Sequence, residues 1–170
     1  MSQLQLSKGA SLAPFFHHLS DRVNKVFEAG LFVFMLLMVV VTTLQVVFRF
    51  FFTALSWSEE LSCFLLVFVS LLGTAIAFKR GSHIAINFLI DKVPPGTRKM
   101  MLTLIQALGL LFFGIVSFYG AGLMRDEASQ LTPAMQISMK WVYLMYPAVG
   151  AVIMLHMIDA LIRIWEREGE

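Results

Sequence analysis

Residues 29–48, 61–78, 100–124 and 141–158 contain no Asp, Glu, Lys or Arg, and each run is about long enough to cross the ~30 Å hydrocarbon core of a bilayer as a helix. The gaps between them carry charges whose bias alternates from one gap to the next. With 58 % of residues hydrophobic and 14 % charged, the chain lies outside soluble domains, which are roughly 45–50 % apolar and 25 % charged. These features predict an all-α integral membrane protein, one domain over residues 1–170, with four transmembrane helices. Such a chain has little room for a substrate site, a cofactor or a soluble catalytic domain, and it is not expected to be an enzyme.

The first apolar run, 20 residues long, exceeds the usual signal-peptide core of about 7–15 residues, and no small-residue cleavage site clearly follows it. It reads as a retained signal anchor. Cys63 is the one cysteine, so neither a disulfide framework nor a thiolate metal cluster is expected within the chain. The formal charge of +2 reports orientation rather than nucleic-acid binding. Lys8, Arg22 and Lys25 precede the first span, Lys79, Arg80, Lys92, Arg98 and Lys99 fill the middle gap, and Arg163 and Arg167 follow the last, whereas the other gaps hold only Arg49, Arg125 and Lys140. Lys and Arg are retained on the cytoplasmic side, which predicts that both termini and the central loop are cytoplasmic.

Residues 12–28 have amphipathic helical spacing. Pro14 suits a first turn, and Phe15, Phe16, Leu19, Val23, Val26 and Phe27 oppose His17, His18, Asp21, Arg22 and Lys25. Two readings stay open: an interfacial helix lying in the membrane plane, or an extension of the first span. His17 and His18 are expected to be solvated. The spans themselves are expected at about 29–52, 57–78, 100–124 and 133–162, with a cytoplasmic loop at 79–99.

At the far side of the first span, Arg49 is placed to snorkel to the interface. Ser56 and Glu59 have capping-box spacing, Glu59 and Glu60 complement a helix N-terminus, and Trp57 suits the aromatic belt. Arg49 either pairs with Glu59 or Glu60 or stands as an independently hydrated charge. Ser70, Gly73, Thr74 and Ala77 share one stripe of the second helix, and Gly114, Ser117 and Ala121 form a weaker stripe on the third. Small residues allow close helix approach in lipid, serving either this bundle or another subunit.

In the central loop, Gly81 is a candidate C-cap and His83 a local capping or pairing residue. Residues 84–93 regain helical spacing before Pro94-Pro95-Gly96, which predicts a short interfacial helix. Arg125, Asp126 and Glu127 mark a charged edge; Thr132-Pro133 reads as a helix start, with Trp141 the other candidate; Pro147 should bend the last helix.

None of the four spans is expected to hold an Asp or Glu, the titratable carboxylate that a proton-coupled pump needs at depth. Only His156 lies within such a span, short of the paired axial ligands of a haem subunit.

The succession Arg49, Trp57-Ser58-Glu59-Glu60-Leu61, Gly73-Thr74-Ala75-Ile76-Ala77 and Lys79-Arg80-Gly81-Ser82-His83-Ile84-Ala85-Ile86-Asn87 strongly resembles the small, DctQ-like membrane subunit of tripartite ATP-independent periplasmic (TRAP) transporters. The likeness continues through Thr132-Pro133-Ala134-Met135, Tyr143 and Pro147. Asn87 stands where that family commonly has Asp, and Cys63 where many members have a larger or basic residue.

The resemblance implies a scaffold in the cell inner membrane that forms a heterodimer with a large M-type elevator subunit. That partner would bind sodium and the organic acid, with sialic acid the leading guess and a C4-dicarboxylate next, while this chain binds no cofactor or metal. A periplasmic substrate-binding protein completes the set, and Arg125, Asp126 and Glu127 form a candidate docking edge for it. Arg49, Trp57, Glu59, Glu60, Ser70, Gly73, Thr74, Ala77 and His83 are the candidate scaffold or interface residues. The rival readings are an autonomous small transporter or channel, and the anchor subunit of a respiratory enzyme.

Overall fold

The computed structural model describes residues 3–80 and 94–166. The chain forms α1 (Gln3–Phe51), α2 (Ser56–Lys79), α3 (Pro95–Asp126), the short α4 (Lys140–Tyr143) and α5 (Met145–Glu166). No strand occurs among the described residues; one isolated bridge joins Leu131 and Ser138. Four segments are long and apolar enough to span a bilayer: Phe16–Phe51, Ser56–Lys79, Thr97–Asp126 and Lys140–Trp165. The predicted central-loop helix, Gly81, His83 and Asn87 lie outside the described residues.

α1 runs through residues 28 and 29 without a break, so residues 12–28 belong to the same continuous helix as the first span, and Pro14 lies inside that helix rather than in its first turn. At 49 residues it extends about 73 Å at 1.5 Å per residue, far beyond the hydrocarbon core.

Two antiparallel pairs, α1 with α2 and α3 with α5, are joined chiefly through α2 against α5. The seam is the core: Leu72 and Ala75 meet Val149, Ile153 and Met157, with Phe27, Phe34, Phe78 and Phe113 packed around them. Phe78 and Phe113 meet edge to face at 5.1 Å, an arrangement the ring quadrupoles favour. Between α3 and α5 the backbones approach closely. A β-carbon at Gly109 or Gly150 would collide with Met157 Cε or Ser117 Oγ, and one at Gly120 would lie 2.7 Å from Tyr146 Cβ. Dispersion across such contacts is what holds helices together where lipid removes the hydrophobic drive.

α2 starts differently from the capping-box expectation. Leu55 is the N-cap and makes no side-chain cap. Ser56 is already helical, and it is the Ser58 hydroxyl that donates to Leu55 O at 2.7 Å.

Thr132-Pro133 opens a tight turn rather than a helix. Thr132 N donates to Ile137 O at 2.9 Å, Ile137 N donates to Thr132 Oγ1 at 3.1 Å, and Gln136 takes a left-handed φ of 56°, a conformation that cannot extend an α-helix. Helix resumes at Lys140, one residue from the later predicted start. Pro147 has no N–H to give Tyr143 O, and the break at Leu144 between α4 and α5 falls in that same turn.

Candidate functional site

At the end of the bundle that carries the two described chain ends, the polar side of α1 is partly covered by other helices, Ser20 fully and Asp21 only at one edge. His17, Ser20, Asp21, Asn24 and Glu28 follow helical spacing on α1; His156, Asp159 and Arg163 do so on α5; Lys79 and Arg80 end α2. These three faces converge.

Lys79 is the hub. Its ammonium donates to Asp159 Oδ2 at 2.8 Å and to Ser20 Oγ at 2.7 Å, and pairs with Asp21 Oδ1 at 2.7 Å. Three acceptors match its three donors. Asp159 is 2 % exposed; its Oδ2 also accepts from Arg163 Nε at 3.3 Å, and its Oδ1 meets His17 Nδ1.

Ser20, fully buried, lies 2.8 Å from His156 Nδ1. Because Lys79 donates to Ser20 Oγ, the serine proton is directed to Nδ1, which places the neutral imidazole's proton on Nε2. Nε2 has no partner among the described residues. Beside this group, Arg80 Nη2 and Asn24 Nδ2 both donate to Glu28 Oε1, at 2.7 and 2.8 Å.

Lys79 and Arg163 balance Asp21 and Asp159, so the cluster is neutral when both imidazoles are uncharged. Buried charges are tolerated where pairing and hydrogen bonds satisfy them, and the need is sharper beside lipid. The arrangement ties α1, α2 and α5 together.

His17 is therefore an ion-network member rather than a solvated residue. The expectation that the spans lack carboxylates also fails: Asp159 lies inside the span Lys140–Trp165, one residue beyond the uncharged run 141–158. The available signal was the spacing of His156, Asp159 and Arg163 at i, i+3 and i+7, repeated by polar residues on α1.

The other candidates sit elsewhere. Arg49 is exposed and has no ion-pair partner among the described residues, and Glu59 is exposed as well. Glu60 instead accepts from the backbone N–H groups of Ala134 at 2.7 Å and Met135 at 3.4 Å, so it clasps the 131–138 turn to α2. Trp57, Arg125 and Asp126 are exposed at that same end, with Glu127 half-buried.

The α2 stripe faces away from the bundle. Leu65, Leu72, Ala75 and Ile76 form the buried side, a β-carbon at Gly73 would meet nothing within 4 Å, and Ser70 and Thr74 hydrogen-bond to their own helix, with Ala77 only half-buried. On α3, by contrast, Ser117 is consumed by contact with Gly150.

Four apolar helices, pinned by an internally neutral network, define a multi-pass membrane protein. Residues 38–167 match the family model described as "Tripartite ATP-independent periplasmic transporters, DctQ component", and the chain belongs to that family, a transport component rather than an enzyme. It is 30 % identical over 110 residues to the sialic acid TRAP transporter permease protein SiaT of Haemophilus influenzae, covering 65 % of this chain and 18 % of that protein. With the small permease protein SiaQ of Vibrio cholerae the identity is 29 % over 105 residues, covering 62 % and 61 %. The C4-dicarboxylate small permease protein DctQ of Rhodobacter capsulatus is 31 % identical over 102 residues, covering 59 % and 44 %. The alignments thus span less than two thirds of each of these relatives.

Proposed function

We propose that this chain is the stationary small subunit of a sodium-coupled importer of an organic acid. It holds and orients a large M-type subunit, which carries the sodium and substrate sites and moves against it. Sialic acid is the first candidate cargo and a C4-dicarboxylate the second, in line with the names of the relatives.

One observation carries the reading: the buried charge cluster is matched within the chain, while the Ser70–Gly73 side of α2 is open. A scaffold needs rigidity and a close-approach surface; a carrier needs polar groups left for its cargo. The Lys and Arg distribution supports cytoplasmic termini in the inner membrane. That orientation puts Arg125, Asp126 and Glu127 on the periplasmic side, where rim charges would steer a substrate-binding protein.

Liposomes carrying the large subunit and the binding protein, with and without this chain, test the reading. Sodium-driven uptake of sialic acid or a C4-dicarboxylate should require it. Flux through the chain reconstituted by itself would overturn the proposal. Gly73→Leu should leave the isolated chain's melting temperature unchanged and weaken co-purification with the large subunit.

A further inference from the structure

We propose that parting α1 from α5 takes up one proton at His156, which makes the charge cluster a pH-sensitive latch. His156 is 1 % exposed and meets Ser20 Oγ through Nδ1 at 2.8 Å. The same oxygen accepts from Lys79 Nζ at 2.7 Å, so the serine has one proton to give, and it goes to Nδ1. An imidazolium carries a proton on Nδ1 and accepts nothing there. Charging the ring would therefore force the serine proton off that line and set a second cation within two hydrogen-bond lengths of the Lys79 ammonium. Nε2 offers no relief, since it has no partner among the described residues.

The surrounding charges supply no spare counter-ion. From α1 come His17 and Asp21, from α2 Lys79, and from α5 itself Asp159 and Arg163. Both carboxylates already face cations, so one more proton leaves the cluster with an excess positive charge where unmatched charge is costly. On α3, Arg98 and Lys99 stand at the same end, the latter against Trp165, and they add no negative charge. His17 behaves differently: its ring faces Asp159 Oδ1 and is partly exposed, so charging it strengthens the contact. Once α1 and α5 part, His156 meets water and takes up a proton near pH ~6.5, as free imidazoles do. Below that pH the parted state binds one more proton than the joined state, and the joined state loses stability as pH falls.

The test is equilibrium unfolding of the full-length chain in mixed micelles, followed by circular dichroism from about pH 6 down to about pH 5, above the range where ordinary carboxylates titrate. The unfolding constant of the wild type should rise about tenfold over that interval. His156→Gln, whose amide oxygen can still accept from Ser20, should flatten the dependence, and His17→Gln should preserve it. A flat wild type, or the same slope in His156→Gln, would overturn the latch. A second measurement reads His156 in place, by nitrogen NMR of a chain carrying His17→Gln, His18→Gln and His83→Gln, which leaves it the one histidine. At about pH 6 the folded protein should show a bare Nδ1 and a proton on Nε2. A doubly protonated ring, or the opposite tautomer, would overturn the proposal as surely.

Discussion

The two ends of the bundle are secured by different means. At one end, side chains from α1, α2 and α5 neutralise one another around Lys79 and Asp159. At the other, a single carboxylate, Glu60, grips the backbone of a turn, and Arg49 stands apart. The chain's path explains the contrast. Residues 52–55 join α1 to α2 directly, so covalent connection holds that end together. At the opposite end α1 and α5 share no connection, and His17 lies 142 positions from Asp159; what the backbone does not join, ion pairs must.

The largest effect should therefore come from Asp159→Ala, which removes the buried carboxylate shared by Lys79, Arg163 and His17 and leaves the largely buried Lys79 with only Ser20 and the half-exposed Asp21. A loss of about 3–5 kcal/mol is expected, visible as a lower thermal midpoint in detergent, and Asp159→Leu with Lys79→Met should recover part of it. An unchanged midpoint would erase the distinction between the ends.

Next in size, deleting residues 1–25 removes His17, Ser20 and Asp21 but leaves Lys79 paired with Asp159. The midpoint should fall less than in Asp159→Ala. Glu60→Ala should act locally, speeding amide exchange at Ala134 and Met135 a few-fold with little change in global unfolding. Smallest of all, Arg49→Ala should shift stability by no more than about 0.5 kcal/mol, and its effect should add to that of Glu60→Ala. Coupling between those two positions would restore the ion pair that the structure lacks.

The four spans were legible because uncharged runs of bilayer length have few other fates. Helix ends were less so. The Ser56/Glu59 pattern marked the right neighbourhood, yet the N-cap lies one residue earlier at Leu55, and the side-chain bond there is a different one, donated by the Ser58 hydroxyl to Leu55 O. Thr132-Pro133 carried a helix-start signature that a left-handed Gln136 overrode. Asp159 escaped notice because counting charge-free residues stops at the first charge, whereas a helix buries a carboxylate wherever partners from distant segments meet it. That convergence is tertiary information. The second stripe illustrates the same limit, since Gly73 and Gly114 read alike in one dimension while only Gly114 faces a neighbouring helix, Met154 Sδ lying 4.0 Å from its β-carbon position.

The separation of His17 from Asp159 also has a consequence for biogenesis. A ribosome adding roughly 5–20 residues per second takes on the order of ten seconds to proceed from one to the other. Lys79 reaches Ser20 and Asp21 when the second helix inserts, but the remaining carboxylate emerges only with the last. A translation product that stops short of residue 159 therefore holds Lys79 only through Ser20 and the half-exposed Asp21, without its buried acceptor, a chemical mark by which unfinished chains differ from finished ones.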